Sequence, residues 1–391
     1  MRPHPAGGAY HRRPGRERAG YDGPRGRGDP VPVARSPSMT EQDAWILLNA
    51  IPGVCPRTKH RLTAALGGPQ HVLAAPRDHL RELATEAVAR RIVDFRQQYD
   101  PQTLRDQAAS VGARILALSD PDYPAALRTI PDPPLALYVR GRIPPDVAVA
   151  VVGTRSPSQD GVEVAYTMAL DLGASGVCVL SGLARGIDAA AHRGALEADG
   201  VTVAVLGCGI DRVWPPEHAP LARFIQEQGG LLSEYPPGTP ALRHHFPARN
   251  RILAGLAQAV VVVEARSRSG ALITAEFALE FGREVFAVPG SVLNPRTQGT
   301  HQLLRDGAHL ATGAADVLDR LRIRPRIRDV ASLGPEEQAL VDLLEEPLDL
   351  DDLVRACGRS SSAVAAMLTA LEVQGVVRRL PGGRYVRGPS G

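Results

Sequence analysis

Lysine is almost missing from this chain: of 45 basic residues in 391, only Lys59 is a lysine. A Walker A loop needs Gly-Lys-Ser/Thr to reach the β- and γ-phosphates, and Lys59 sits in Arg57-Thr58-Lys59-His60, so a P-loop ATPase is excluded. The uniform use of arginine reads as the imprint of a GC-rich genome, which weakens any argument from arginine identity alone. Cysteine is also scarce. Cys55, Cys178, Cys208 and Cys357 form no Cys-x-x-Cys pair and lie in or beside apolar runs, the pattern of reduced thiols in the cores of a cytoplasmic protein. No apolar run approaches the roughly 18 residues of a membrane helix, so membrane insertion is not expected. Residues 1–38 lack a signal-peptide core and are rich in Arg, Gly and Pro; a disordered tail is expected there, with Met39 as the biological start.

Charge of one sign is missing too. The formal net charge is +3, but residues 1–38 hold 8 Arg against 3 acidic residues, which leaves 37 basic and 39 acidic side chains in the remainder. Nucleic-acid contact must then come from arginines gathered locally in a groove, not from a globally basic surface.

What is present is a three-part pattern. From Thr40, a capping residue, helical spacing places Ala44, Leu47 and Leu48 on one face; a break follows at Ile51-Pro52-Gly53-Val54, then Leu62, Ala65 and Leu66. A small helical domain over 39–110 is expected, of helix-hairpin-helix or SAM-like type. The Pro-Gly turn fits a phosphate-holding hairpin or an ordinary turn in a bundle, and both readings stand. Pro-rich residues 111–146 read as an extended lead-in with a strand at Leu135–Val139. Continuous β-branched runs then recur at Val147–Val152, Val177–Leu180, Thr202–Leu206, Ala259–Val263 and Val285–Val288, separated by helical stretches. They predict strands covered on both faces: an α/β, Rossmann-like, doubly wound, mostly parallel sheet over 111–320. A basic linker (321–334) leads to three helices and a hairpin, a winged helix over 335–391.

Most of the central strands feed a glycine-bearing turn at the carboxyl edge, where open α/β sheets bind ligands. The first, Gly153-Thr154-Arg155-Ser156, combines a small residue for close approach, hydroxyls and a guanidinium fork, the groups that suit a phosphate. Ser181-Gly182-Leu183-Ala184-Arg185-Gly186-Ile187-Asp188 repeats the design, with Asp188 read as a dipole partner or cap at the helix start and not as a catalytic group. A third segment, His244-His245-Phe246-Pro247-Ala248-Arg249-Asn250-Arg251, offers Phe246 for base stacking, Arg249 and Arg251 for flanking phosphates and Asn250 for a base or backbone. Adjacent histidines on a strand would point to opposite sides, a poor metal pair. The fourth, Arg266-Ser267-Arg268-Ser269-Gly270-Ala271, adds more cations and hydroxyls at the same edge. Four cationic loops on one rim describe a groove for several phosphates in sequence; a mononucleotide would need one or two. No catalytic residue, metal or cofactor is assigned.

Val-Val-Gly-Thr-Arg, Ser-Gly-Leu-Ala-Arg-Gly-Ile-Asp, Phe-Pro-Ala-Arg-Asn-Arg, Arg-Ser-Gly-Ala-Leu-Ile-Thr-Ala-Glu and Val-Pro-Gly occur in this order, and in them the chain resembles the bacterial DNA-processing protein A family (DprA, also called Smf) over residues 111–320. The resemblance implies a non-enzymatic protein that binds single-stranded DNA, dimerises and loads the RecA recombinase during natural transformation. Carried over by motif, the contacts would be Gly153, Arg155, Ser181, Gly182, Arg185, Phe246, Arg249, Asn250 and Ser269. Where many relatives follow a Tyr-Pro pair with a lysine, this chain reads Trp214-Pro215-Pro216, so one groove cation is missing, with Arg212 a possible substitute. The winged helix resembles a DNA reader, but its recognition helix, Ser360–Gln374, has no Arg or Lys, and from residue 335 the chain holds 9 acidic against 6 basic side chains. Base-specific reading is not expected there, and a regulatory or protein-binding role is, with Arg378, Arg379 and Arg384 as the wing's phosphate contacts.

Two enzyme readings compete. Glu276 stands where the glutamate of a nucleoside-monophosphate phosphoribohydrolase loop would stand, but without the paired glycines that precede it there. A dinucleotide-dependent oxidoreductase is weaker still, because the first turn lacks Gly-x-Gly-x-x-Gly.

Overall fold

The computed structural model describes residues 39–323, 333–373, 376–380 and 382–388. The expected tail (1–38) and most of the expected linker (324–332) lie outside them. No described helix is long and apolar enough to cross a membrane.

Six helices fill the first module: α1 (Glu41–Ala50), α2 (Pro56–Leu66), α3 (Pro69–Ala74), α4 (Arg77–Leu83), α5 (Glu86–Gln98) and α6 (Pro101–Ser110). Thr40 caps α1 through a reciprocal capping box with Asp43, and Leu47, Leu48, Leu62, Leu80 and Ile92 close the core. The α1–α2 turn uses Gly53 at φ +67°, and its carbonyl accepts a bond from the Arg91 guanidinium.

The central sheet has nine strands: β1 (Arg114–Ala117), β2 (Ala136–Gly141), β3 (Ala148–Val152), β4 (Cys178–Ser181), β5 (Thr202–Leu206), β6 (Gly230–Ser233), β7 (Ala259–Val262), β8 (Glu284–Ala287) and β9 (His309–Leu310). Their order is β1-β2-β6-β5-β4-β3-β7-β8-β9. All pairings from β6 through β9 are parallel; β1 and β2 are antiparallel additions at one edge. The short helix α7 (Ala125–Arg128) lies in the lead-in. Crossover helices are α8 (Gln159–Ala174), α9 (Ile187–Glu197), α10 (Ala219–Gln228), α11 (His245–Leu256), α12 (Gly270–Glu280) and α13 (Gln298–Arg305), followed by α14 (Ala314–Leu321). Separate hydrophobic clusters cover the two faces of the sheet, which explains the unbroken apolar runs of the central strands.

The winding runs outward from β3 to β6, then returns to place β7 on the other side of β3. The reversal at β3 opens a crevice at the carboxyl ends of β3, β4 and β7, the ligand position of such sheets.

The winged helix comprises α15 (Pro335–Asp342), α16 (Leu350–Cys357), α17 (Ser361–Val373) and the antiparallel pair β10 (Val377–Arg379) and β11 (Tyr385–Arg387). In its wing Arg378 donates to Thr167 Oγ1 of α8 at 3.1 Å, and Arg379 lies over the Tyr385 ring.

Candidate nucleic-acid interface

A cleft of about 750 Å³ occupies the crevice. Its floor comes from the β3 and β4 turns, one wall from α11 and the other from the β7 turn with the start of α12. Arg155, Arg243, Arg266 and Arg268 line it, and all four are exposed. None has an ion-pair partner among the described residues. Asp188 is the one carboxylate in the lining; it is buried and accepts from the Gly182 N–H at 3.1 Å and the Ala184 N–H at 3.3 Å. Burial pushes its carboxyl up, countered by Arg249 and these N–H groups. Asp188 therefore shapes the β4 turn, and the open cations give the cleft a positive field.

Phe246 is half-buried in the same wall, with the Arg155 guanidinium 5.3 Å from its ring centroid. The segment around it is the first turn of α11 and not a strand, so side chains three and four apart share a face. Phe246 and Asn250 accordingly reach the cleft together, with Asn250 Nδ2 bonded to Gly270 O at 3.1 Å. Ser269 caps α12 and also lines the cleft, beside Gly270, Thr154 and Gly153.

Other expected contacts are placed differently. Arg249 borders the cleft but is 4% exposed, its guanidinium bonded to the carbonyls of Val205 and, at 3.0 Å, Gly182. Its Nη1 bolts α11 to the ends of β4 and β5, and its Nε donates to Asn250 Oδ1 at 3.2 Å. Arg251 points the opposite way. It is 3% exposed and pairs with Glu234 at 2.6 Å and Asp132 at 3.4 Å. Burial works against its charge, but the two carboxylates outweigh it and hold the pKa above its ordinary value. Ser181 is fully buried, its hydroxyl donating to Val151 O at 2.7 Å. His245 is buried against Tyr235, ring centroids 4.0 Å apart, outside the cleft. No group of residues that could hold a metal occurs among the described residues.

The loop glycines divide the same way. A Cβ at Gly153 would strike Ile187, one at Gly182 the Arg249 guanidinium, and one at Gly186 the Thr154 carbonyl, whereas Gly270 faces open space. Three of the four serve close packing; beside Gly270 the space is open, while its carbonyl accepts from Asn250. The N–H groups of the first turn are largely used as well: Thr154 N–H donates to Glu264 O, and the Ser158 N–H and hydroxyl to the Glu264 carboxylate. Ser156 lies outside the cleft, its carbonyl accepting from Arg296 at 2.7 Å. Arg185 is exposed in a smaller recess beside the cleft and is paired with Glu217.

Sequence reasoning missed Trp214 and Arg243 as lining residues. Arg243 stands directly before the His244–His245 pair, and Trp214 was visible only as a departure from a motif. Glu276 is exposed on α12 and does not line the cleft.

The model for the DNA recombination-mediator protein A family matches residues 114–322, and the DprA winged-helix domain matches residues 324–383. The chain belongs to the DprA family. It is 41% identical to protein Smf of Escherichia coli over 282 residues, which covers 68% of this chain and 75% of that protein. Over 206 residues it is 44% identical to the DNA processing protein DprA of Streptococcus pneumoniae, covering 52% and 72% of the two chains. The X-ray structure of that pneumococcal DprA superposes with a TM-score of 0.62 at 33% identity, over 72% of this chain and 98% of the other. A DNA-processing role follows from this membership.

Proposed function

We propose that the protein binds single-stranded DNA in the β3–β4–β7 cleft without acting on it chemically, protects incoming strands and hands them to the RecA recombinase in natural transformation. The observation that carries this reading is the coincidence, in one cleft, of four exposed arginines that lack carboxylate partners among the described residues with a half-buried aromatic ring. Phosphates need unpaired cations, and unpaired bases need a ring to stack on; a duplex would offer no base to Phe246. The contacts are Thr154, Arg155, Arg243, Phe246, Asn250, Arg266, Arg268, Ser269 and Gly270, with Arg185 at the flank. Arg249, Ser181 and Gly182 act behind them as supports. Family resemblance supports the RecA partner and a homodimer.

The hydrolase reading has no observation in its favour, because Glu276 lies outside the cleft. The test is Phe246→Ala assayed for binding of oligo(dT) and of a matched duplex. Loss of one base stack, about 1–3 kcal/mol, should weaken oligo(dT) by at least roughly fivefold and leave the duplex unaffected. Equal affinity of the variant and the unaltered protein for oligo(dT) would refute the reading.

A further inference from the structure

Trp214 is a half-exposed indole that forms no hydrogen bond or ring contact among the described residues. Water-facing tryptophan of this kind is unfavourable unless a partner covers it. It is also held stiffly. Pro215 and Pro216 follow it, with φ fixed by their rings, and Glu217 pairs with Arg185 of the β4 turn.

The place it occupies is specific. Trp214 lines the main cleft and also the smaller recess of about 70 Å³ beside it. Cleft and recess share Arg155, Ala184, Trp214 and Phe246, and the recess adds Arg185. Two aromatic side chains and two guanidiniums therefore border two adjoining spaces, and no contact between the two rings occurs among the described residues. The recess is smaller than a nucleobase, so a base would lie along the indole at its mouth, with the cleft supplying the rest of the room.

We propose that Trp214 is a second stacking platform, taking the base of the nucleotide next to the one on Phe246, and that Arg185 exchanges Glu217 for that nucleotide's phosphate. This rests on the single-strand reading above and extends it from one stacked base to two. The Arg185–Glu217 pair suits the exchange because both side chains are largely exposed and an exposed ion pair is worth little. It keeps the arginine aimed at the recess while the site is empty and yields to a phosphate. In this chain an indole thus stands at the segment where a groove lysine is missing.

The chain has two tryptophans, Trp45 in α1 and Trp214, so a Trp45→Phe protein emits from Trp214 alone. Oligo(dT) and an abasic strand of equal length, each end-labelled, are titrated while anisotropy reports binding and tryptophan emission reports stacking. Oligo(dT) should quench Trp214 in step with binding, and the abasic strand should bind with little quenching. Trp214→Ala should weaken oligo(dT) roughly tenfold, the size of one lost stack, and change abasic binding less than twofold; Trp214→Phe should restore most of the affinity. Binding of oligo(dT) with unchanged emission, or equal loss on both strands, overturns the second platform and leaves the first intact. Failure of the unaltered protein to bind either strand overturns both.

Discussion

The cleft and the seam beneath the helical module are both rich in cations, and they use them in opposite ways. In the cleft, Arg155, Arg243, Arg266 and Arg268 are exposed and have no carboxylate partners among the described residues. In the seam, Arg251 and Lys59 are buried, and every charge is answered: Arg251 by Glu234 and Asp132, Lys59 by Asn49 O at 2.6 Å, with Asn49 Nδ2 bonded to Glu234 O at 2.9 Å. His60 adds a bond to Pro133 O at 2.6 Å. A charge removed from water must be paired inside the chain, and a charge left in water without a partner is available to a ligand. Helix α11 carries both kinds of face, with Phe246 and Asn250 toward the cleft and Arg251 toward the seam. The seam thus sets the position of the groove wall.

The largest expected effect tests the seam. Arg251→Met strands the buried Glu234 carboxylate, and breaking such a pair costs about 3–5 kcal/mol, read as a fall in unfolding free energy by denaturant titration. Arg155→Ala should stay within about 0.5 kcal/mol of the unaltered protein. Comparable losses in the two would erase the distinction between the regions.

Next comes Lys59. Burial pushes its ammonium down from an ordinary 10.5 to about 8, against the pull of Glu234. Between those values the unfolded chain holds a proton that the folded chain has released, so stability contributed by this group rises with pH from about 8 to 10.5. The difference in unfolding free energy between the unaltered protein and Lys59→Met should shift in favour of the unaltered protein across that window. A constant difference would mean that Lys59 is not desolvated.

How much of this was legible beforehand depends on where the partners lie. The runs of β3, β5 and β7 were readable because burial on both faces leaves no polar alternation to confuse the pattern. Strand β6 was not, since Gly230-Leu-Leu-Ser233 is short and begins on a glycine, and β1 was hidden in a proline-rich lead-in. The rim of phosphate-type loops was visible, as each loop is local in sequence. The work of Arg249 and Arg251 was not, because their acceptors, Gly182, Val205, Asp132 and Glu234, come from distant segments brought together only by the fold. The same holds for the glycines at 153, 182 and 186, whose close neighbours are Ile187, Arg249 and the Thr154 carbonyl.

The smallest effect concerns the flank of the cleft. Glu217→Gln frees Arg185 and removes a negative charge near the strand, so oligo(dT) affinity should rise by about twofold to threefold at low salt, within the range of one exposed ion pair, and the gain should fade as salt increases. A loss of affinity would show that Glu217 is needed to hold Arg185 in place.

Whether the cleft arginines hold the phosphates of a single strand is decided by a salt titration of oligo(dT) binding in the unaltered protein, Arg155→Ala and Arg243→Ala. Each variant should bind with lower affinity and with a salt slope smaller in magnitude by roughly 0.7, the single-strand value for one phosphate contact. Unchanged affinity and slope in both variants would contradict that role.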